Sequence, residues 1–244
     1  MKYLCRQEMR LRNPTQATSH TLSAEVTAMK IVQVLTAITA MTLVAADKPD
    51  SRQWDFEDAT LGRVPVGWSA AKTGKGPGSQ WKVVEDDSAP KGSKVLAQTS
   101  SQGPNRLFNL CVVDDTSYSD VAITVSFKAN QGRHDQGGGP VWRYQDAGNY
   151  YICRHNPLED NFRIYKVVAG KRIQLASMNF KAIAGKWHTI HAVMRADMIE
   201  CSINGKQLAV RDGTINTPGK VGLWTKADAA TSFDGLTVSA PTAR

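Results

Sequence analysis

Cysteine is scarce in this chain and carries no pairing pattern. Four occur in 244 residues, at Cys5, Cys111, Cys153 and Cys201. None belongs to a C-x-x-C pair, which argues against zinc ribbons and thioredoxin-like redox motifs. Only the last three would follow an export cut, an odd number that makes no disulfide framework. One bridge among Cys111, Cys153 and Cys201 with one free thiol remains compatible with an oxidising compartment. Cys153 and Cys201 fall on apolar strand faces and read as small buried hydrophobes. Dense Lys/Arg runs are also missing. The net charge is +8, but five basic and two acidic residues precede Asp47, leaving +5 spread from Lys48 to Arg244 with acids interleaved. That distribution does not support nucleic-acid binding. Hydrophobic residues at 41% and charged residues at 21% are ordinary for a globular protein.

Long apolar runs are absent as well. The most apolar stretch, Ile31–Ala46, is uncharged over sixteen residues, short of the roughly 20 that a membrane-spanning helix needs. Lys30 precedes it, and Val44-Ala45-Ala46 ends it with small residues. A charged start, an apolar middle and a small-residue exit are the parts of an export signal. Met29-Lys30 is a more typical signal start than Met1. The expectation is therefore a segment 1–46 holding an extension and a cleaved signal, then one domain over 47–244. Location in the periplasm or outside the cell follows, with no membrane contact after cleavage. A domain of about 200 residues buries enough surface to need neither disulfide nor metal.

From Trp54 onward, short apolar runs alternate with Gly, Pro, Asn and Asp. Strands are expected at Gln80–Glu85, Lys94–Gln98, Leu107–Val113, Asp120–Ala129, Val141–Gln145, Tyr150–Asn156, Asn161–Val168, Arg172–Ser177, His188–Arg195, Met198–Ile203, Lys206–Arg211, Val221–Thr225 and Phe233–Val238. Turn signals recur about every ten residues, the rhythm of an all-β sandwich or barrel. Ala169-Gly170 and Asn204-Gly205 suit tight hairpin turns. Lys72–Ser79 reads as a Gly/Pro loop, and no amphipathic helix follows Ala46.

Side chains alternate between the two faces of a strand. That rule puts Trp142 with Tyr144, Tyr151 with Cys153 and His155, and Phe162 with Ile164, all toward the core. The opposite face then carries Arg143, Gln145, Tyr150, Arg154, Asn156, Asn161, Arg163 and Tyr165. If Asn156 pairs with Asn161, Pro157–Asp160 closes the hairpin and Arg154 sits opposite Arg163. Directly opposed like charges are destabilising, so an acid from the loop, Glu159 or Asp160, or a ligand must offset them. Guanidinium and amide groups supply fixed donors and acceptors for sugar hydroxyls. Aromatic faces supply apolar area for the C–H side of a sugar ring. The candidate ligand-binding set is Arg143, Gln145, Tyr150, Arg154, Asn156, Asp160, Asn161, Arg163 and Tyr165. The competing reading is a solvated polar sheet face.

Other chemistry is less specific. His188 and His191 are three apart on a strand, so they point to opposite faces and cannot share an ion. His134-Asp135 on a Gly-rich loop offers an acid–base pair beside a cleft. Adjacent carboxylates occur at Asp86-Asp87, Asp114-Asp115 and Glu159-Asp160, but glycoside hydrolysis needs two carboxylates facing one cleft. No G-x-S-x-G elbow is present, nor is the E-x-D-x-x-E strand signature of family 16 glycoside hydrolases. No EF-hand loop exists, although sandwich lectins hold calcium by Asp, Asn and carbonyl oxygens. No cofactor is expected beyond that calcium.

Several segments carry a family resemblance. They are Phe56-Glu57-Asp58 with Gly62, Pro65 and Gly67-Trp68; Trp142-Arg143-Tyr144-Gln145-Asp146 with Asn149-Tyr150-Tyr151; Glu159-Asp160-Asn161; Gly185-Lys186-Trp187-His188; and Gly219-Lys220-Val221-Gly222-Leu223-Trp224-Thr225-Lys226 through Phe233-Asp234. Over about Trp54–Val238 the chain resembles secreted bacterial 3-keto-disaccharide hydrolase-like domains of the concanavalin A-like lectin/glucanase group. The resemblance implies a jelly-roll sandwich of two antiparallel sheets and a carbohydrate partner. It assigns no catalytic residue. Three roles stay open: a glycan-binding domain, a hydrolase of glycosidic bonds, and a structural protein of the cell envelope.

Overall fold

The structure, a computed structural model, describes residues 51–242. The expected export segment lies outside the described residues. Fifteen strands and no helix make up the described part. They run β1 Arg52–Trp54, β2 Trp68–Thr73, β3 Trp81–Glu85, β4 Lys94–Gln98, β5 Phe108–Val113, β6 Val121–Gln131, β7 Gly139–Asp146, β8 Asn149–Asn156, β9 Asn161–Val168, β10 Lys171–Asn179, β11 Trp187–Arg195, β12 Met198–Ile203, β13 Lys206–Arg211, β14 Lys220–Lys226 and β15 Ala230–Ser239. Every expected strand is present. β1 and β2 were not foreseen: β1 is three residues long, and β2 runs into the expected Gly/Pro loop.

The strands form two sheets, β13-β12-β11-β6-β15-β4-β3 with β1 on β15, and β10-β9-β8-β7-β14-β5-β2. Named strand pairs are antiparallel throughout. This is the concanavalin A-like jelly-roll sandwich. β6 shows how sequence makes the core: Val121, Ile123, Val125, Phe127 and Ala129 are buried while the residues between them are not. The first four of these meet Trp142, Tyr151, Cys153, Phe162 and Ile164 from the other sheet in one apolar interior. Trp142 stacks on Tyr151 and donates its indole N–H to the Met194 sulfur at 3.1 Å. The three described cysteines are buried and free. Burial pushes the Cys111 thiol well up; all three act as apolar fillers, as expected for Cys153 and Cys201.

Two turns explain tight hairpins. Asn204-Gly205 and Ala169-Gly170 have positive φ at both positions, 45° and 82°, 48° and 74°. That is the paired left-handed geometry matching the twist of the flanking strands.

The second sheet departs from simple alternation. β5 is buried at all six positions, and β8 at every position after Asn149. A strand buried on both sides has both faces covered. The outer face carries its own apolar cluster, including Phe108, Leu110, Val141, Tyr150, Ile152, Tyr165, Val167 and Trp224. Curvature accounts for it. Arg172 on β10 touches the Phe108 ring of β5 at 5.3 Å, although five strand spacings separate them, about 24 Å along a flat sheet. Likewise the Tyr150 hydroxyl of β8 lies 2.8 Å from Thr73 Oγ1 of β2, four strands away. The sheet curls until its outer face becomes a trough that its own side chains fill.

Candidate functional site

The hairpin of β8 and β9 has the register expected: Asn156 pairs with Asn161 and Arg154 with Arg163. Four residues, Pro157–Asp160, close it, and Glu159 supplies the offset. Its Oε2 accepts from Arg163 Nη1 at 3.0 Å, Arg154 Nη2 at 3.4 Å and Asn161 Nδ2 at 2.8 Å. Burial raises this carboxyl, but the Asn161 bond and the two arginine charges bring it below its ordinary value. Asp160 is not part of the cluster. It sits at φ 48°, and its carbonyl accepts from the Phe180 N–H at 2.8 Å.

A second acid was not placed by the sequence. Asp135, fully buried, lies 2.8 Å from Lys226 Nζ, 3.2 Å from Asn156 Nδ2 and 3.7 Å from Arg154 Nη1. Its loop is held from behind by Asp228, whose carboxylate accepts the backbone N–H groups of Arg133, His134 and Asp135. The expected His134–Asp135 pair is not formed: His134 is exposed while the Asp135 side chain points into the network. Strand alternation from Trp224 would have put Lys226 on this face. Nothing local indicates that a loop ninety residues earlier meets it.

Tyr165 closes the cluster beside the apolar half of the trough. The Arg154 guanidinium lies 5.9 Å from its ring centre and that of Arg172 4.4 Å. Arg172 also faces Phe108 and Trp224, at 5.3 and 5.8 Å. Burial pulls the Arg172 guanidinium below its ordinary value, the Tyr165 interaction opposing and Arg154 adding repulsion. Several buried polar atoms here have no hydrogen-bond partner: Arg154 Nε and Nη1, Arg172 Nη1 and Asn161 Oδ1. Orphaned groups of this kind normally cost 1–3 kcal/mol each, roughly, and call for a ligand, an ion or water.

Besides Asp160, three of the expected residues do not join this cluster. Arg143 was expected beside Arg154, but β7 bulges there. Three residues, Arg143 to Gln145, stand against Tyr150 alone between the Trp142–Tyr151 and Asp146–Asn149 pairs, and Arg143 takes φ 44°. The bulge resets the alternation. Tyr144 turns outward onto Tyr150, centroids 6.0 Å apart, rather than inward with Trp142. Arg143 is buried elsewhere, donating to the carbonyls of Ser119, Ile215 and Ala196 at 2.7–2.8 Å. Gln145 follows it, with its amide on the Pro218 carbonyl at 2.9 Å. Tyr150 is on the expected face but lies in the apolar half. Thr73 and the Trp224 indole hold its hydroxyl, and burial pushes its pKa up to about 12. Arg154, Asn156, Asn161, Arg163 and Tyr165 are brought together as expected.

Open hollows lie elsewhere. One of about 420 Å³ is lined by Trp54, Asp55, Arg63 and Trp68 among others, and one of about 440 Å³ by Arg133, Gln136 and Asp228 among others. Neither is lined by the arginine cluster. We place the candidate site at the cluster because its orphaned donors demand an occupant, which volume alone does not.

The histidines behave as the strand period requires. His188 and His191 point apart, to Asn204 and Thr124 respectively. Among the described residues no group of three metal-ligating side chains converges.

No protein-family model matches the sequence, and no curated protein matches it. Solved structures share the fold. The carbohydrate-binding module CBM66 from Bacillus subtilis has a TM-score of 0.57 at 16% identity, over 71% of this chain and 96% of that one. A Bacillus subtilis protein of unknown function with a galectin-like fold gives 0.53 at 12%, over 72% and 90%. The GH43 protein BlXynB from Bacillus licheniformis gives 0.50 at 17%, over 78% of this chain but 39% of that one. At such identities the likeness is one of fold.

Proposed function

We propose that the domain binds carbohydrate, at the polar end of the trough between β8, β9 and the Asp135 loop. The observation carrying this reading is the concentration of under-partnered guanidinium and amide groups around the Tyr165 ring. Sugars present hydroxyls to such donors and C–H faces to such rings. The accessible rim is Arg163 and Glu159, whose side chains are 29% and 42% exposed. The fold shared with a carbohydrate-binding module agrees with this, as does the sequence resemblance to 3-keto-disaccharide hydrolase-like domains. We also propose that the domain works outside the cytoplasm, from the Ile31–Ala46 signal pattern. N-terminal sequencing of exported protein should begin near Asp47.

Hydrolysis is the second reading, favoured by two carboxylates, Asp135 and Glu159, meeting one guanidinium. Binding is preferred because a hydrolase needs one carboxyl kept protonated as general acid. Here Asp135 is ion-paired to a lysine and Glu159 is held below its ordinary pKa. A glycan array probed with the full chain tests the assignment, with product analysis of each hit. Binding that Arg163→Ala weakens severalfold, with the glycan recovered intact, supports the reading. A parent that retains no glycan defeats it.

A further inference from the structure

The charges of this face do not balance. Four cations, Arg154, Arg163, Arg172 and Lys226, surround two acids, Asp135 and Glu159. Both acids are committed. Asp135 gives one oxygen to Lys226 and the other to Asn156 and Arg154, while one Glu159 oxygen is shared by Arg154, Arg163 and Asn161. Arg172 is left with aromatic rings. Its guanidinium lies over Tyr165, Phe108 and Trp224, and its Nη1 has no hydrogen-bond partner.

Ring contact and hydrogen bonding use different parts of a guanidinium. The flat faces meet π-clouds, and the in-plane N–H edge stays available for a planar anion. A guanidinium so clamped has little rotamer freedom left to lose on binding. Arg154 repeats the pattern from below. It lies over the same Tyr165 ring, is 1% exposed, and keeps Nε and Nη1 without hydrogen-bond partners. Arg172 comes from the edge strand β10 and is partly exposed, whereas Arg154 is fully buried, so Arg172 forms the solvent side of the pair. A neutral hydroxyl would satisfy one donor and leave the charge excess. A carboxylate satisfies donors in pairs and halves the excess, with the short charge-assisted bonds that guanidinium groups form best.

We infer that the ligand is an acidic sugar whose carboxylate is gripped by Arg172, with Arg154 behind it. This rests on the proposed sugar-binding reading of the face. The test is calorimetric titration of the full chain with an oligouronate and with the same oligosaccharide after its carboxyl groups are reduced to alcohols. The expected result is at least about tenfold tighter binding of the oligouronate, from charged hydrogen bonds the neutral form lacks. The preference should shrink as salt is raised. Arg172→Gln should bring the two affinities within about twofold, and Arg172→Lys should restore only part of the preference, because a lysine carries the charge without the planar fork. Equal binding of both oligosaccharides by the parent overturns the inference while leaving the sugar-binding reading in place; binding of neither overturns both. Tighter binding of a sulfated neutral oligosaccharide than of the oligouronate overturns the carboxylate assignment. Should Arg172→Gln fail to fold, the parent's affinity ratio decides alone.

Discussion

Asp135→Asn should be among the most damaging single-atom changes in this protein. The side chain is 1% exposed and faces Lys226 at 2.8 Å and Arg154 at 3.7 Å, themselves 12% and 1% exposed. Asparagine keeps the shape and leaves the backbone bond to Asp228 intact. It removes the negative charge between two buried cations and puts an N–H₂ where one oxygen accepted. Breaking a buried ion pair from one side costs about 3–5 kcal/mol, because the stranded charge stays desolvated. Glu159 still neutralises part of Arg154, so the lower half of that range is expected. For a domain of this size each kcal/mol moves the melting temperature by roughly 2–4 °C, so a drop of about 6–16 °C should appear. Urea unfolding of the full chain supplies the free energy, and a cycle with Arg154→Met tests the cause. The double variant should cost at least about 1 kcal/mol less than the two single costs together, since removing both partners strands less charge. A cost below 1 kcal/mol for Asp135→Asn, or strict additivity, would show that the network holds no buried charge and refute the reasoning.

The pH dependence between 4 and 6 should contain two opposed contributions. Burial lifts the Asp234 carboxyl to about 6, so its contribution is complete below its unfolded value and is lost as pH rises through 6. Burial lowers His155 to about 4, so its contribution is present above its unfolded value and is lost as pH falls toward 4. Each amounts to at most about 3 kcal/mol. Relative to the parent, Asp234→Asn should therefore add a rise of stability with pH over this range and His155→Gln a fall, measured by denaturant unfolding at several pH values. The same slope in both variants would contradict this. Arg143→Ala should lose about 1–3 kcal/mol, from the buried Ile215 carbonyl left without its donor, yet leave glycan affinity unchanged; a binding loss in the folded variant would return Arg143 to the site. Ala169→Gly should stabilise the β9–β10 turn by about 0.5–1 kcal/mol, because alanine there sits in left-handed backbone, and an unchanged melting curve would show the strain is absent.

Much of the fold follows from local signals. The period of two in residues such as Val121, Ile123, Val125 and Phe127 fixes which face of β6 is buried, whatever packs on it. Turn chemistry at Asn204-Gly205 and Ala169-Gly170 fixes two hairpins. The pairing of Asn156 with Asn161, and hence the clash of Arg154 with Arg163, follows from one four-residue loop. The need for an acid beside them follows from Coulomb repulsion alone. These are short-range statements, and a sequence contains them.

What escaped the sequence is long-range. Alternation assumes an unbroken pleat, and the bulge at Arg143 breaks it. One backbone in the left-handed region sends Arg143 away from Arg154 and turns Tyr144 onto Tyr150. Asp135 reaches Arg154 only because the fold lays its loop across β8 and β14. Arg172 reaches Phe108 only because the sheet curls through five strands. A curled sheet buries polar groups that a flat one would leave in water. The sequence alone determines that this face is rich in arginine and amides. Only the tertiary structure decides which of them are paired, which are left with orphaned donors, and therefore where a ligand would stabilise them.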